Sequence, residues 1–263
     1  MIQKQYFEHV LTDHCNLRCE NCSMHSPFLD DAFSNLECFK RDLEKMSKVM
    51  EIETFRFIGG EPTLHPQIID FVKAVKESGI AKKVSVCTNG VNIKALSDEF
   101  FLAVDTIDIS LYNETGIDYS DMFWFLRKKR ISLNESFEFK QTPYVGFINM
   151  YSNEKQDTET VQKIYDNCIN KNTCHSFKDG KYYRCSVTIT KNKYLKNMGI
   201  DVDTDFLETD GLSLDSDNLE ESLKEYLTNT VPLKACEYCK GTSGQITKRI
   251  QHTVQEIKFL RKS

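Results

Sequence analysis

Cys15, Cys19 and Cys22 fall within eight residues, Cys15-Asn16-Leu17-Arg18-Cys19-Glu20-Asn21-Cys22, at spacings of four and three. They follow closely on the apolar run Tyr6 to Leu11, which reads as a strand. A short loop of that spacing can aim three sulfurs into one small volume, as a metal or iron–sulfur site requires. Three thiolates are one ligand short of a closed tetrahedral set, which leaves a position open to an exogenous molecule. The other reading of these residues is a structural zinc knuckle.

A second set of thiols lies in the last hundred residues. Cys174 and Cys185 flank Asp179-Gly180, the tight turn of a small hairpin that brings the two sulfurs towards each other. Far downstream, Cys236-Glu237-Tyr238-Cys239 adds a Cys-x-x-Cys pair followed by Lys240-Gly241. Two pairs of thiolates make a closed site, and an isolated arrangement of this kind suits a zinc ribbon. Cys38, Cys87 and Cys168 remain. Cys38 reads as a small core or boundary residue, and Cys168, six residues before Cys174, is an alternative ligand for the second set. His14, His25 and His65 flank the first motif and the Gly-Gly turn, either as acid–base groups or as hydrogen-bond donors to a bound group.

These residues need elements to position them. Ser34 with Glu37 forms a capping-box pattern, and Leu36, Phe39, Leu43, Met46 and Met50 recur at helical spacing behind it. Thr54 to Ile58 is a strand running into Gly59-Gly60-Glu61-Pro62, and a helix is expected from Pro66 to a stop at Gly79. Val84 to Thr88 is a third strand ending in Asn89-Gly90, and Lys94 to Val104 a helix. Thr106 to Tyr112 is a fourth strand, and Asp121 to Arg130 a fourth helix. Phe137 to Phe139 and Tyr144 to Met150 are expected as the fifth and sixth strands, before a helix at Thr158 to Tyr165. Asp201 to Asn218 reads as a solvated loop, with Asn218 and Glu221 capping the helix that follows. Short strands alternating with amphipathic helices predict an α/β fold with a parallel sheet. Ligand sites in such folds lie at strand carboxyl ends, where the three-cysteine loop and the Gly59-Gly60 turn both fall.

The chain of 263 residues has 40% apolar and 28% charged residues, as an ordinary globule does. Its net charge of −5 and pI near 5.8 argue against nucleic acid as a partner. The basic run Arg127 to Arg130 reads as a solvated helix end. No apolar run approaches the ~20 residues that span a membrane, and Met1 to Tyr6 lead straight into the first strand without a leader. Ten cysteines in such a chain fit metal or cluster ligation in the cytoplasm better than a disulfide framework.

Cys15-x-x-x-Cys19-x-x-Cys22 at the end of a first strand resembles the signature of the radical S-adenosylmethionine (SAM) enzymes. Asn21 stands where that family usually has an aromatic. The resemblance implies a partial (β/α)6 barrel over residues 1–165. Its [4Fe–4S] cluster on the three cysteines chelates SAM and generates a 5′-deoxyadenosyl radical. Gly59, Gly60 and Glu61 resemble the second family motif, whose backbone pairs with the SAM amino group. Ser110 resembles a position that contacts the SAM ribose or carboxylate, and Asn89 falls near the cofactor or merely shapes its turn. Cys174, Gly180 and Cys185 with Cys236 and Cys239 resemble the abbreviated auxiliary-cluster ("twitch") domain, here 166–263, with a second [4Fe–4S] cluster.

Within such a barrel Cys87 could give hydrogen to a substrate radical; its other reading is an inert buried thiol. The resemblance extends to aminocyclitol dehydrogenases and sugar-type epimerases. It implies oxidation or epimerisation of a carbohydrate-like small molecule, with the auxiliary cluster moving an electron and a reduced flavodoxin or ferredoxin-type protein as donor. A peptide-modifying maturase and a non-enzymatic zinc or iron–sulfur protein are the alternatives.

Overall fold

The computed structural model describes residues 1–112, 117–143, 147–247 and 250–261. Five strands form one sheet in the order β1-β2-β3-β4-β5, all parallel: β1 (Ile2–Thr12), β2 (Met50–Gly59), β3 (Ala81–Thr88), β4 (Thr106–Leu111) and β5 (Glu138–Pro143). Between them run α1 (Leu36–Ser47), α2 (Ile68–Ser78), α3 (Asp98–Ala103) and α4 (Tyr119–Ser132). This is the α/β partial-barrel architecture expected.

Strand registers sort the side chains. Phe55 pairs with Val84, Phe57 with Val86 and Val86 with Ile107, so these wholly buried residues share one face, against the helices. His9 and Phe57 meet Phe39 of α1 and Phe71 of α2 there. The alternate residues Glu8, Arg56, Cys87, Asp108 and Lys140 point to the opposite face, away from α1 and α2.

Several boundaries differ from expectation. Asn35, not Ser34, caps α1: its side chain accepts from the Cys38 amide, while the Ser34 hydroxyl donates to the Val10 carbonyl and ties the helix start to β1. The residue before the helix thus serves the sheet. The helix after Pro66 begins at Ile68 and stops at Gly79, whose φ of 67° is left-handed. The expected helix Lys94 to Val104 is broken into a 3-10 turn, Ile93–Ala95, and α3, because Ser97 caps α3 through the Phe100 amide. The fifth strand extends past Phe139 to Pro143. Of the sixth expected strand, residues 144–146 lie outside the described residues. β6 (Phe147–Ile148) pairs antiparallel with the late strand Ile246–Thr247 and not with the sheet.

The remaining chain carries α5 (Thr158–Asn167), α6 (Asn170–Thr173), the hairpin β7 (Ser176–Lys178) and β8 (Lys181–Tyr183), and α7 (Thr188–Asn197). Asp179 and Gly180 both have positive φ, 49° and 80°, as a two-residue hairpin turn requires. The stretch expected as loop contains α8 (Phe206–Thr209) and β9 (Leu212–Ser213), since buried Phe206 and Leu214 anchor it. After these come α9 (Leu219–Thr228), β10 (Ile246–Thr247) and α10 (Val254–Leu260). Asn218 stands at the N-cap of α9 but makes no side-chain cap hydrogen bond. Among the described residues no helix is long and apolar enough to cross a membrane.

The β7–β8 hairpin shares the main core. Phe177 lies 5.6 Å from Phe7 and 5.4 Å from Phe39, ring centre to ring centre, and is fully buried. Phe177→Ala is therefore expected to cost about 3–5 kcal/mol. A lower denaturant midpoint measures this loss, and an unchanged midpoint would mean the hairpin is not part of the core.

Candidate functional site

The three-cysteine loop leaves β1 at Thr12, whose hydroxyl donates to the Ala32 carbonyl (2.9 Å) and accepts from the His14 amide (2.9 Å). The Cys22 amide donates to the Cys19 carbonyl (3.3 Å) and the His25 amide to the Cys22 carbonyl (2.7 Å). Asn21 and His25 both have left-handed backbone, φ 53° and 58°. Asparagine tolerates that conformation better than most residues. Its amide also donates to the Thr247 hydroxyl (3.0 Å), which gives the departure at Asn21 a structural role. Burial pushes the Cys15 thiol up, with Cys22 and Cys19 adding to the effect, and burial raises Cys22 as well. The three thiols are thus mutual neighbours.

The glycine turn after β2 is locked onto this loop. The Gly60 amide donates to the Thr12 carbonyl (2.7 Å) and the Glu61 amide to the His14 carbonyl (2.8 Å). A Cβ on Gly59 would lie 2.4 Å from the Thr12 oxygen, and one on Gly60 2.0 Å from the His14 oxygen. The close approach that requires these glycines is to the cysteine loop's own backbone. Glu61 turns inward and is 1% exposed. Its carboxylate accepts from the Thr63 amide and hydroxyl, the Thr88 hydroxyl and the Asn89 amide, at 2.6–3.1 Å. Burial raises its pKa despite those donors. It ties the ends of β2 and β3 together. Asn89 continues the chain of contacts, its amide donating to Asn16 (2.8 Å) and lying 4.0 Å from the Cys15 sulfur. Ser110 sits near the end of β4, half-buried and in register with Thr142.

The C-terminal segment also covers the loop, a contact that sequence reasoning missed. The Glu20 amide donates to the Ile250 carbonyl and the His252 amide to the Arg18 carbonyl, both at 2.8 Å. Gln251 accepts from the Arg18 amide (2.7 Å) and donates to the Cys19 sulfur (2.9 Å). Of the flanking histidines, His14 pairs with Asp31, and His65 binds the Ser34 carbonyl and the Gln67 amide. His25 is buried, its ring packed against those of Tyr151 (5.0 Å) and Tyr194 (4.5 Å), which also touch each other, and burial holds it neutral.

In the second set, the Ser186 amide donates to the Cys174 carbonyl (2.7 Å), drawing Cys185 beside Cys174. Cys236 lies in the 3-10 turn Lys234–Tyr238, held where Asp210 accepts from the Lys234 and Ala235 amides (2.6 and 2.8 Å). Burial pushes the Cys185 thiol well up, and Cys236, Cys239, Cys174 and Cys168 reinforce this in that order. Cys168 therefore stands in the same neighbourhood as the four expected residues, and Cys38 lies apart on α1. Among the described residues no three Cys, His, Asp or Glu side chains converge on a single-ion position.

Across the face of the sheet opposite α1 and α2 runs a polar belt. Arg56 donates to Asp108 (3.0 Å) and the Cys87 sulfur (3.1 Å) and reaches Glu8 at 3.5 Å. Lys140 pairs with Asp108 (3.1 Å), Thr142 donates to it (2.7 Å), and Ser186 donates to Glu8 (3.1 Å). Burial holds Cys87 up at about 11, so it is a thiol at neutral pH. Cys174 also lies beside Glu8, so the belt adjoins the second cysteine set. Only Cys87 of this belt was singled out from the sequence. The available signal was Arg56 alternating with Phe55 and Phe57 in mid-strand.

A parallel partial barrel with a three-thiol loop after its first strand offers a place for an iron–sulfur cluster at the strand carboxyl ends. Residues 9–113 match the family model of the Radical SAM superfamily, so this part of the chain carries a radical SAM domain. The Pyrococcus furiosus tungsten-containing aldehyde ferredoxin oxidoreductase cofactor-modifying protein is 32% identical over 108 residues, 41% of this chain and 29% of that protein. A probable GTP 3′,8-cyclase of Saccharolobus solfataricus is 35% identical over 124 residues, 43% of this chain and 39% of that protein. The chain therefore matches less than two-fifths of the length of these relatives. In fold it is similar to BtrN in complex with AdoMet and 2-DOIA, with a TM-score of 0.50, 10% identity, and coverage of 94% of this chain and 98% of that one. It is likewise similar to anSMEcpe with bound AdoMet, with a TM-score of 0.51, 12% identity, and coverage of 98% and 95%.

Proposed function

We propose that this chain oxidises or epimerises a hydroxyl-rich, carbohydrate-like small molecule bound on the face of the sheet opposite α1 and α2. The observation that carries this reading is the buried belt Glu8–Arg56–Asp108, with Cys87, Lys140 and Thr142 beside it. Such a row of donors and acceptors suits a polar ligand. Cys15, Cys19 and Cys22 hold the SAM-binding [4Fe–4S] cluster, which supplies hydrogen-atom abstraction when bound. Gly59, Gly60 and Asn89 fix the loop against the strand ends, and Ser110 lines the same end of the barrel. Glu61 acts through Asn89 and Thr88 to hold that geometry. Cys174, Cys185, Cys236 and Cys239 hold a second, auxiliary cluster next to Glu8, placed to take an electron from the bound substrate. A reduced flavodoxin or ferredoxin-type protein is the donor.

The belt's carboxylates orient hydroxyl groups, and Arg56 bridges the two of them. Cys87 is the residue that separates the two outcomes: as a protonated thiol it can return a hydrogen in epimerisation, and oxidation has no need of it. The test is anaerobic reconstitution with iron and sulfide, for the wild type and a Cys15/Cys19/Cys22→Ala variant. Roughly eight irons per chain falling to about four is expected. SAM cleavage to 5′-deoxyadenosine should be lost with them. Iron unchanged in the variant, or zinc alone, would overturn the assignment. On a panel of sugars and aminocyclitols, Cys87→Ser should keep oxidation and lose epimerisation. A Cys87→Ser enzyme that still epimerises would remove the thiol from the mechanism.

A further inference from the structure

Lys191 on α7 is fully buried. Its ammonium donates to the Tyr238 carbonyl (3.1 Å) and lies over the rings of Tyr151 (5.9 Å) and Tyr194 (5.6 Å). Among the described residues it has no ion pair with a carboxylate; the groups able to hold its charge are Cys239, Cys185 and Cys236. A buried ammonium without a countercharge costs several kcal/mol. A protonated thiol has no charge to offer, and the Tyr238 carbonyl that Lys191 grips lies in the chain between two of these cysteines, Cys236 and Cys239. Metal ligation requires them as thiolates and makes the centre anionic.

We propose that Lys191 is the countercharge of an anionic metal–thiolate centre on Cys185, Cys236 and Cys239, and that it raises the reduction potential of that centre. This rests on the reading that the second cysteine set binds a cluster. Each one-electron reduction adds negative charge to a centre that is already anionic. A fixed cation in a water-poor site therefore favours the reduced state. Lys191 is well placed for this, one carbonyl away from Cys239, since it grips the residue immediately before it. Tyr151 lies under the same ammonium, pairs its backbone with Cys239, and donates its hydroxyl to the Cys22 carbonyl. The charge thus sits between the two cysteine sets, where the potential of the second matters to any electron passing inward.

The experiment compares reconstituted wild type, Lys191→Met, Lys191→Arg and a Cys236/Cys239→Ala variant, by iron and zinc content and by anaerobic optical and EPR potential titration. Lys191→Met should favour the oxidised second centre at least tenfold, about 59 mV for one electron. Lys191→Arg, which keeps the charge, should stay near the wild-type potential, which separates the effect from misfolding. Loss of the second centre alone in Lys191→Met, with Lys191→Arg still loaded, also supports the proposal. A second site that takes only zinc overturns the reduction-potential role together with the cluster reading. A wild-type potential and wild-type metal content in Lys191→Met overturns the countercharge role and leaves the metal site standing. Unchanged metal in Cys236/Cys239→Ala instead removes the site itself.

Discussion

Gly60→Ala is expected to abolish the N-terminal site, although the change adds one methyl group. That methyl would stand 2.0 Å from the His14 carbonyl oxygen and 2.5 Å from its carbon. Both atoms are backbone, so no side chain can swing away. Relief requires the loop to move outward by about an ångström, and the first bonds to break are Gly60 to Thr12 and Glu61 to His14. Cys15 is the residue after His14, so the loop's first thiol moves with it. Overpacking of this kind costs about 1–3 kcal/mol in stability. The functional loss is expected to be far larger, roughly 100-fold in SAM cleavage, because displacing a site by an ångström has that scale of consequence. Iron at the second, proposed site serves as the internal control: it should remain while N-terminal iron and SAM cleavage fall. Wild-type SAM cleavage in Gly60→Ala would show that the loop yields without cost.

The contrast between Gly60 and Glu61 shows what local sequence carries. The motif around Cys15, the strand ends and the left-handed stop at Gly79 are set by neighbours within a few residues, and these were legible. The space that the two glycines leave was legible too, but its occupant was not: the Thr12 and His14 backbone fills it. Contacts made at long range left no local pattern. Gln251 reaches Cys19 across 232 positions, and nothing around Gln251 marks it. Lys191 lies among Lys193 and Lys196 on a helix with no apolar stripe, which reads as a solvated surface. It is buried because the second cysteine set and two tyrosines close over it. Ser34 against Asn35 is a finer case. Both can cap a helix, and the choice fell to Asn35 because β1 claims the Ser34 hydroxyl.

Arg56→Met should damage both stability and turnover, and the two effects can be separated. Glu8 and Asp108 are 7% and 4% exposed, and Arg56 lies between them. Removing the guanidinium leaves Glu8 with the Ser186 hydroxyl alone and Asp108 with Lys140 and the Thr142 hydroxyl, so one of two buried carboxylates loses its cation among the described residues. Breaking a buried ion pair on one side costs about 3–5 kcal/mol. The loss is electrostatic and not steric, so adding Glu8→Gln to Arg56→Met should recover part of it. A double-mutant cycle reads that recovery directly. If the double variant is no more stable than Arg56→Met, packing of the arginine stem carries the effect instead. For turnover, the proposed substrate face predicts a specific division. SAM binding and the N-terminal iron should survive in the double variant, since neither residue touches the three-cysteine loop. Product formation from the carbohydrate-like substrate should fall by at least tenfold, and SAM cleavage should become uncoupled from it. A double variant that forms product at the wild-type rate would move the substrate off this face and leave the belt a purely structural ion network.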